Sequence, residues 1–309
     1  MVRSLDPIDL VIAGPTASGK SLLALEWAQK NGAEIVSADS RQIYREISIG
    51  TGKPSLLEQE AIPHHMIDLC SVQDVYSAGA FARDARRAIE RIQSRGKRVV
   101  LCGGTGLYIK ALLHGIVELP EGDPSSGEDF RAAMENVPTA ELYSRLANVD
   151  PERAKHLFPN DRVRILRALF LYESTGLPPT ELYRLSQGEG IPVRTFVVLS
   201  PERIWLHKAI ERRVALMLSH GWVEEVEDLL SRGGRPDWPG FASLGYREVM
   251  SHLAGKMTQE ELLHAIVLKT RQYAKRQMTW FRHMEGAISV ESPKNSGFSW
   301  SLLQTMIKS

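Results

Sequence analysis

The chain has 309 residues, 43% of them hydrophobic, and a formal net charge of +1. That is enough for a sizeable core, in one large domain with an appendage or in two domains, and no bulk charge advertises a nucleic acid, so any polyanion contact has to come from local basic patches. The two cysteines, Cys70 and Cys102, have no Cys or His partner at zinc spacing, and no apolar run is long enough to cross a bilayer. Reduced core thiols, no structural zinc, a cytosolic location and no membrane partner are therefore expected.

"IDLVIAG", residues 8–14, is a continuous apolar run ending in glycine, the pattern of a strand buried on both faces. "KSLLALEWAQKNG" follows with helical spacing and a glycine stop, and "AEIVSAD" reads as a second strand. "SAGAFARDARRAIERIQSRG" predicts an amphipathic helix with Ser77 as its cap and Gly96 as its stop, and "KRVVLCGG" a third strand. Strands alternating with helices predict an α/β fold, a parallel sheet flanked by helices on both faces. After Pro120 the texture changes: "LPEGDPSSGEDF" reads as a linker or exposed loop, and residues 129–190 hold helical patterns and no strand-like run. "RTFVVLS", residues 194–200, is another buried strand, followed by helices near 201–220, 222–232, 243–254 and 258–284. The expected organisation is a P-loop core begun by residues 1–118, an all-helical insertion at 119–191, and a core completed by 192–309 with a helical C-terminal region.

"GPTASGKS" fits the P-loop pattern between a buried strand and a helix. Gly14, Pro15, Thr16, Ala17, Ser18, Gly19, Lys20 and Ser21 form the expected diphosphate-binding loop. Its glycines let backbone N–H groups wrap an anion, the helix N-terminus adds its dipole, Lys20 adds a charge, and the Ser21 hydroxyl can hold Mg²⁺ directly or through water. The motif reads phosphate and leaves the rest of the ligand to other residues.

"VSADSRQIY" puts Asp39 at the carboxyl end of the second strand, on the sheet edge where ligands sit in open α/β sheets. Asp39 can hold Mg²⁺, act as a base, or cap a following helix. Its neighbours Ser40, Arg41 and Gln42 form a polar cluster beside the phosphate loop and favour a functional role. Asp68, ending "HHMID", is the rival acid. In "LCGGTGLYIKALLHG" the glycines Gly103, Gly104 and Gly106 allow close backbone approach, and Thr105 presents a hydroxyl at the same edge. "LHKAIERRVALMLSHG" carries Arg212 and Arg213 about 100° apart on a helix, so one of them can face a buried site, and spacing alone does not choose.

On a helical projection of the last helix, Arg271, Lys275 and Arg282 form one basic stripe and Lys269, Arg276 and His283 a second. Tyr273, Trp280 and Phe281 fall on the opposite, apolar side. Arg162, Arg164 and Arg167 add a basic cluster in the insertion. Two basic regions flanking a phosphate site suggest a nucleic acid. Physics alone also admits a nucleotide or nucleoside kinase using ATP, and a P-loop RNA-binding protein without catalysis.

The ordered set "GPTASGKS", "VSADSRQIY", "IGTGKP", "PHHMID", "GGTGLYIKAL", "DRVRILRAL", "LHKAIERRVALMLSHG", "GYRE" and "TRQYAKRQMTWFRH" closely resembles the bacterial tRNA dimethylallyltransferases. The resemblance implies transfer of a dimethylallyl group from dimethylallyl diphosphate to N6 of the adenosine 3′ of the tRNA anticodon, with release of diphosphate. It further implies Mg²⁺ and a helical insertion that grips the anticodon stem-loop; a monomer is expected. By motif, Asp39 resembles the general base, Thr105 a contact near the reacting centre, and Arg213 the diphosphate-binding arginine. The tRNA contacts it implies are Asp39, Ser40, Arg41 and Gln42; Val163, Arg164, Ile165, Leu166 and Arg167; Leu244, Gly245, Tyr246, Arg247, Glu248 and Val249. A last group is Gln277, Met278, Thr279, Trp280, Phe281, Arg282, His283 and Met284.

Overall fold

The computed structural model describes residues 5–116, 124–185 and 190–291. They divide into two compact units, Met1–Leu113 with Ile191–Ser309, and His114–Gly190. In the first unit six strands form one parallel sheet in the order β3-β2-β4-β1-β5-β6. Along the chain these are β1 (Leu10–Ala13), α1 (Lys20–Asn31), β2 (Ala33–Ser37), α2 (Leu56–Ala61), β3 (His64–His65), α3 (Ala78–Ser94), β4 (Arg98–Gly103) and α4 (Gly106–His114). After the insertion come β5 (Phe196–Leu199), and, numbered past the insertion's own helices, α10 (Arg203–Ser219), α11 (Trp222–Ser231), α12 (Tyr246–Leu253), α13 (Gln259–Phe281) and β6 (Ile288–Val290).

β1, β2 and β5 are buried along their whole length, which is why β1 and β5 read as apolar runs without alternation, while β2 also buries Glu34 and Ser37. α1 starts at Gly19 with φ 86° and stops at Gly32, whose N–H returns to Ala28 O. α3 is capped by the Ser77 side chain on Ala80 N–H and buries Phe81, Ala85, Ala88, Ile89 and Ile92 at helical spacing. Leu23, Trp27, Ile35, Val100 and Val197 form a core of sheet and α1 side chains. A second core joins Ile210, Val214, Trp222, Phe241, Tyr246, Val249, Leu262 and Ile266 among α10 to α13. α13 opens with a reciprocal cap between Thr258 and Glu261.

The second unit consists, among the described residues, of α5 (Pro124–Ala133), α6 (Thr139–Val149), α7 (Pro151–Lys155), α8 (Arg162–Thr175) and α9 (Pro179–Leu185). Its core is Leu142, Leu146, Ala154, Leu157, Ile165, Ala168 and Leu169. Two expectations are corrected. α5 begins inside the Pro/Ser/Gly-rich run read as a loop, because Pro at a helix start needs no N–H partner. The sheet also gains β3 and β6, two and three residues long, too short to leave a periodic signal. The expected boundary near 119 lies in residues 117–123, outside the described residues. No described helix is long and apolar enough to cross a membrane.

Candidate active site

The carboxyl ends of β1, β2 and β4 open into a cavity of about 970 Å³ lined wholly by first-unit residues. The phosphate loop, Asp39 to Gln42 and the Gly103–Gly106 turn lie on it, and α10 and α13 contribute Arg213, Tyr273, Arg276, Gln277 and Trp280. Ligands of open parallel sheets sit at the carboxyl ends of the strands, which makes this edge the candidate site.

Lys20 and Arg213 are two of the cations that line it. Burial pulls the pKa of each below its ordinary value, and Asp39 is the carboxylate that opposes the shift in both. Lys20 Nζ donates to Pro15 O at 3.2 Å. Arg213 makes no ion pair among the described residues and packs against Gly52, where a Cβ would lie 2.0 Å from its terminal nitrogen. Arg212, one helical step away, is exposed and lies off this cavity, on an adjoining depression that also touches Arg213 and Gly52. Two half-buried cations coupled to the one carboxylate Asp39 leave positive charge that an anion would neutralise.

Asp39 Oδ1 accepts the Arg41 N–H at 2.9 Å, a local turn bond, and no α-helix follows for it to cap. Thr105 Oγ accepts the Ser40 N–H at 3.0 Å and donates to Ser40 Oγ at 3.3 Å, tying the two strand ends together. Gln42 donates to Gly52 O at 3.0 Å and accepts from Ser37 Oγ at 2.9 Å. Tyr273, pushed up to about 12 by burial and then by the Asp39 charge, stays a neutral phenol beside that carboxylate. Cys102, pushed up to about 11 by burial, stays a thiol. Asp68 is not on the cavity; it pairs with the buried Lys53.

For a metal, the Ser21 hydroxyl, on the exposed first turn of α1, and Asp39 lie on the cavity; of the other carboxylates that line it, Glu58 is spent on Ser55 and Glu248 on Lys269. A hard cation such as Mg²⁺ keeps several waters and draws ligands from phosphate oxygens, so this sparse oxygen set fits one held jointly with a bound diphosphate.

The implied nucleic-acid contacts sort by exposure. Asp39, Ser40, Arg41 and Gln42 are half-buried on the cavity; Val163, Arg164, Arg167, Arg247, Thr279, Trp280, Arg282 and His283 are exposed; Leu166, Leu244, Met278 and Met284 are intermediate. Ile165, Gly245, Tyr246, Glu248, Val249, Gln277 and Phe281 are buried. Successive helical residues point about 100° apart, so a contiguous helical run cannot present every side chain to one partner. The basic stripes are corrected as well. Arg271 pairs with Glu211 of α10, and Lys269 with the buried Glu248 of α12. In the second unit Arg162 is spent on the carbonyls of Met134, Glu135 and Val137, and Arg164 on Asp161.

Sequence reasoning missed the role of Gln277. Its amide accepts the Thr16 N–H at 2.9 Å and donates to Gly104 O at 2.8 Å. Gly104 and Gly106 are glycines because a Cβ would stand 2.4 Å from Gln277 Nε2 and 2.1 Å from Trp280 Cδ1. The second glycine turn is thus the seat of α13, and the mark that could have revealed it is a lone polar residue between apolar helical positions.

Residues 42–284 match the profile of the family described as IPP transferase. The chain is 45% identical over 273 residues to tRNA dimethylallyltransferase 1 of Citrifermentans bemidjiense, covering 88% of each. It is 45% identical over 285 residues to tRNA dimethylallyltransferase of Geobacter metallireducens, covering 92% of each. Among solved structures it is similar to the full-length tRNA isopentenylpyrophosphate transferase of Bacillus halodurans, with a TM-score of 0.69, 31% identity, and coverage of 97% of this chain and 94% of that one. It also resembles a eukaryotic dimethylallyltransferase acting on tRNA, with a TM-score of 0.83, 28% identity and coverage of 98% and 78%.

Proposed function

The chain belongs to the tRNA dimethylallyltransferase (IPP transferase) family and is a transferase that prenylates an adenosine of tRNA; we propose that its cavity holds the diphosphate of dimethylallyl diphosphate on Lys20 and Arg213 and admits N6 of the adenosine 3′ of the anticodon beside Asp39. The observation that carries this reading is the meeting of Lys20 of the phosphate loop, Arg213 and Asp39 on one cavity, with Asp39 coupled to both cations.

An allylic diphosphate reacts by breaking its carbon–oxygen bond, the electron pair leaving on the diphosphate oxygen and positive charge developing on carbon. Lys20, Arg213 and the N–H groups of the phosphate loop stabilise the leaving charge where water is excluded. The adenine nitrogen forms the new bond to carbon and only then becomes acidic, so an ordinary carboxylate suffices to take its proton. Asp39 suits this role: its Oδ1 is held by the Arg41 N–H, and Oδ2 makes no hydrogen bond among the described residues. Thr105 holds the turn that carries Asp39 and Ser40. Ser21 would hold Mg²⁺, which when bound supplies further charge stabilisation to the diphosphate.

The adenine must leave its stack to reach a cavity floored by the phosphate loop, so the base is flipped out of the anticodon loop. The helical unit, with Val163 and Arg167 exposed, is assigned to the anticodon stem-loop, together with Arg247, Thr279, Trp280, Arg282 and His283 of the first unit. Every group assigned to the chemistry comes from one chain, so a monomer suffices.

The test is incubation with unmodified tRNA and labelled dimethylallyl diphosphate, and separately with labelled ATP. Transfer of the allylic label to an anticodon-loop adenosine is expected. Transfer of phosphate from ATP would make the chain a kinase, and binding of tRNA without either transfer would remove the catalytic reading.

A further inference from the structure

A carboxylate on α11 receives four hydrogen bonds that the chemistry above does not use. Glu225 Oε2 accepts the backbone N–H groups of Ser48 at 2.6 Å and Ile49 at 2.8 Å. Its Oε1 accepts the Gly50 N–H at 3.3 Å and the Tyr246 hydroxyl at 2.7 Å. Successive N–H groups turned to one side make a concave anion site, and here the anion is a side chain of the protein itself. Tyr246 is held protonated by burial and by the Glu225 charge, so it remains a donor.

The loop so gripped leads directly to the diphosphate site. Gly50 lies against the Trp222 indole, where a Cβ would stand 2.1 Å from Nε1, and Gly52 lies under the Arg213 guanidinium. The loop is closed by Gly52 N–H to Ile49 O at 3.0 Å and Lys53 N–H to Ser48 O at 3.1 Å. Gly52 O in turn accepts from Gln42, next to the Asp39 turn. Arg213 has no carboxylate of its own to fix it among the described residues, so its place depends on what it rests upon.

We propose that Glu225 is a positioning residue: by gathering the N–H groups of Ser48, Ile49 and Gly50 it holds the 48–52 loop as the platform on which Arg213 meets the diphosphate. The proposal rests on the assignment of Arg213 to the diphosphate, and it acts on the donor side of the reaction alone. Without the carboxylate, three N–H groups lose their acceptor and the loop has no single place to lie.

The experiment compares the wild-type chain with Glu225→Ala, Glu225→Gln and, as a control, Glu224→Ala, an exposed neighbour on the same helix. Glu225→Ala is expected to lower kcat/KM for dimethylallyl diphosphate about 10²-fold, the scale of an ångström-sized misplacement. Its affinity for tRNA should stay within about threefold of wild type, a change below 1 kcal/mol. Glu225→Gln keeps an oxygen for Ser48 and Ile49, and its amide can donate to Tyr246 Oη, so it should recover to within about tenfold of wild type. Glu224→Ala should change neither quantity.

Calorimetric binding of inorganic diphosphate to the same four proteins gives a readout free of turnover, and Glu225→Ala should weaken it by about tenfold or more. Unchanged diphosphate affinity in Glu225→Ala, or an equal loss of tRNA and diphosphate affinity, would overturn the proposal. If Glu225→Ala does not fold, Glu225→Gln decides: a loss confined to diphosphate supports the platform, and a loss shared with tRNA overturns it. A wild-type chain that binds diphosphate and transfers no dimethylallyl group removes the proposed reaction and leaves the diphosphate comparison standing.

Discussion

Gln277, near the end of α13, accepts the backbone N–H of Thr16 in the phosphate loop at 2.9 Å, across 261 residues of sequence. The same amide donates to Gly104 O, so one buried side chain braces the two glycine turns that frame the cavity. Gln277→Leu would leave the half-buried Thr16 N–H and the buried Gly104 carbonyl without partners, which costs about 1–3 kcal/mol each at most when no water replaces the amide. Urea unfolding is expected to show a loss of that order, and diphosphate affinity should fall with it. A variant of wild-type stability and affinity would show that the brace contributes nothing.

Asp39 and Asp68 are separable by mutation. Asp39→Ala is expected to lower turnover by about 10²–10⁴-fold, the range for a general base, with tRNA affinity kept within a few-fold. Asp68 is off the cavity and spent on Lys53, so Asp68→Ala should retain turnover within about tenfold, with the change in stability. Single-turnover rates at saturating tRNA check both. The reverse pattern would move the base to Asp68.

The basic face of α13 is expected to contribute affinity without chemistry. Lys275 and Arg282 are exposed and unpaired among the described residues, whereas Arg271 is engaged by Glu211. At roughly 0.7 per phosphate contact in a single strand, Lys275→Gln with Arg282→Gln should flatten the slope of log K against log salt by about 1.4. Adding Arg271→Gln should flatten it by less than a further contact's worth. A titration of tRNA affinity against salt in which neither slope nor affinity moves would leave the face merely solvated.

Glu34 sets an acid limit on stability. Burial raises its pKa, but hydrogen bonds from His65 at 2.6 Å and Arg95 at 2.7 Å outweigh burial and hold it below the ordinary 4.5. A depressed folded pKa means that the unfolded chain binds more protons in this range. The stability Glu34 contributes is therefore present above pH 4.5 and is lost as pH falls through the lower folded value. Glu34→Gln should remove part of the fall in melting temperature on acidification below pH 4.5. Parallel wild-type and variant curves in that window would remove Glu34 as a source.

The local chemistry of this chain is legible in one dimension. Strands buried on both faces are mostly apolar, so β1, β2, β4 and β5 announce themselves, and a glycine loop between strand and helix points to an anion site. Those signals placed Lys20, Asp39 and Thr105 on one sheet edge before any coordinates, because parallel strands put their carboxyl ends together. The choice of Arg213 over Arg212 needed the resemblance, and then a packed partner: both are arginines on one helix, and Gly52 lies beneath only one of them. What tertiary structure alone decided is which polar side chains are spent on partners within the protein. Gln277, Glu225, Lys269 and Arg162 each look like surface residues in sequence, yet their partners lie 173, 177, 21 and 25 residues away. A hydrogen bond between positions so far apart leaves no periodicity behind, since it satisfies backbone or charge at a point where two elements happen to meet, and that meeting exists only once the chain has folded.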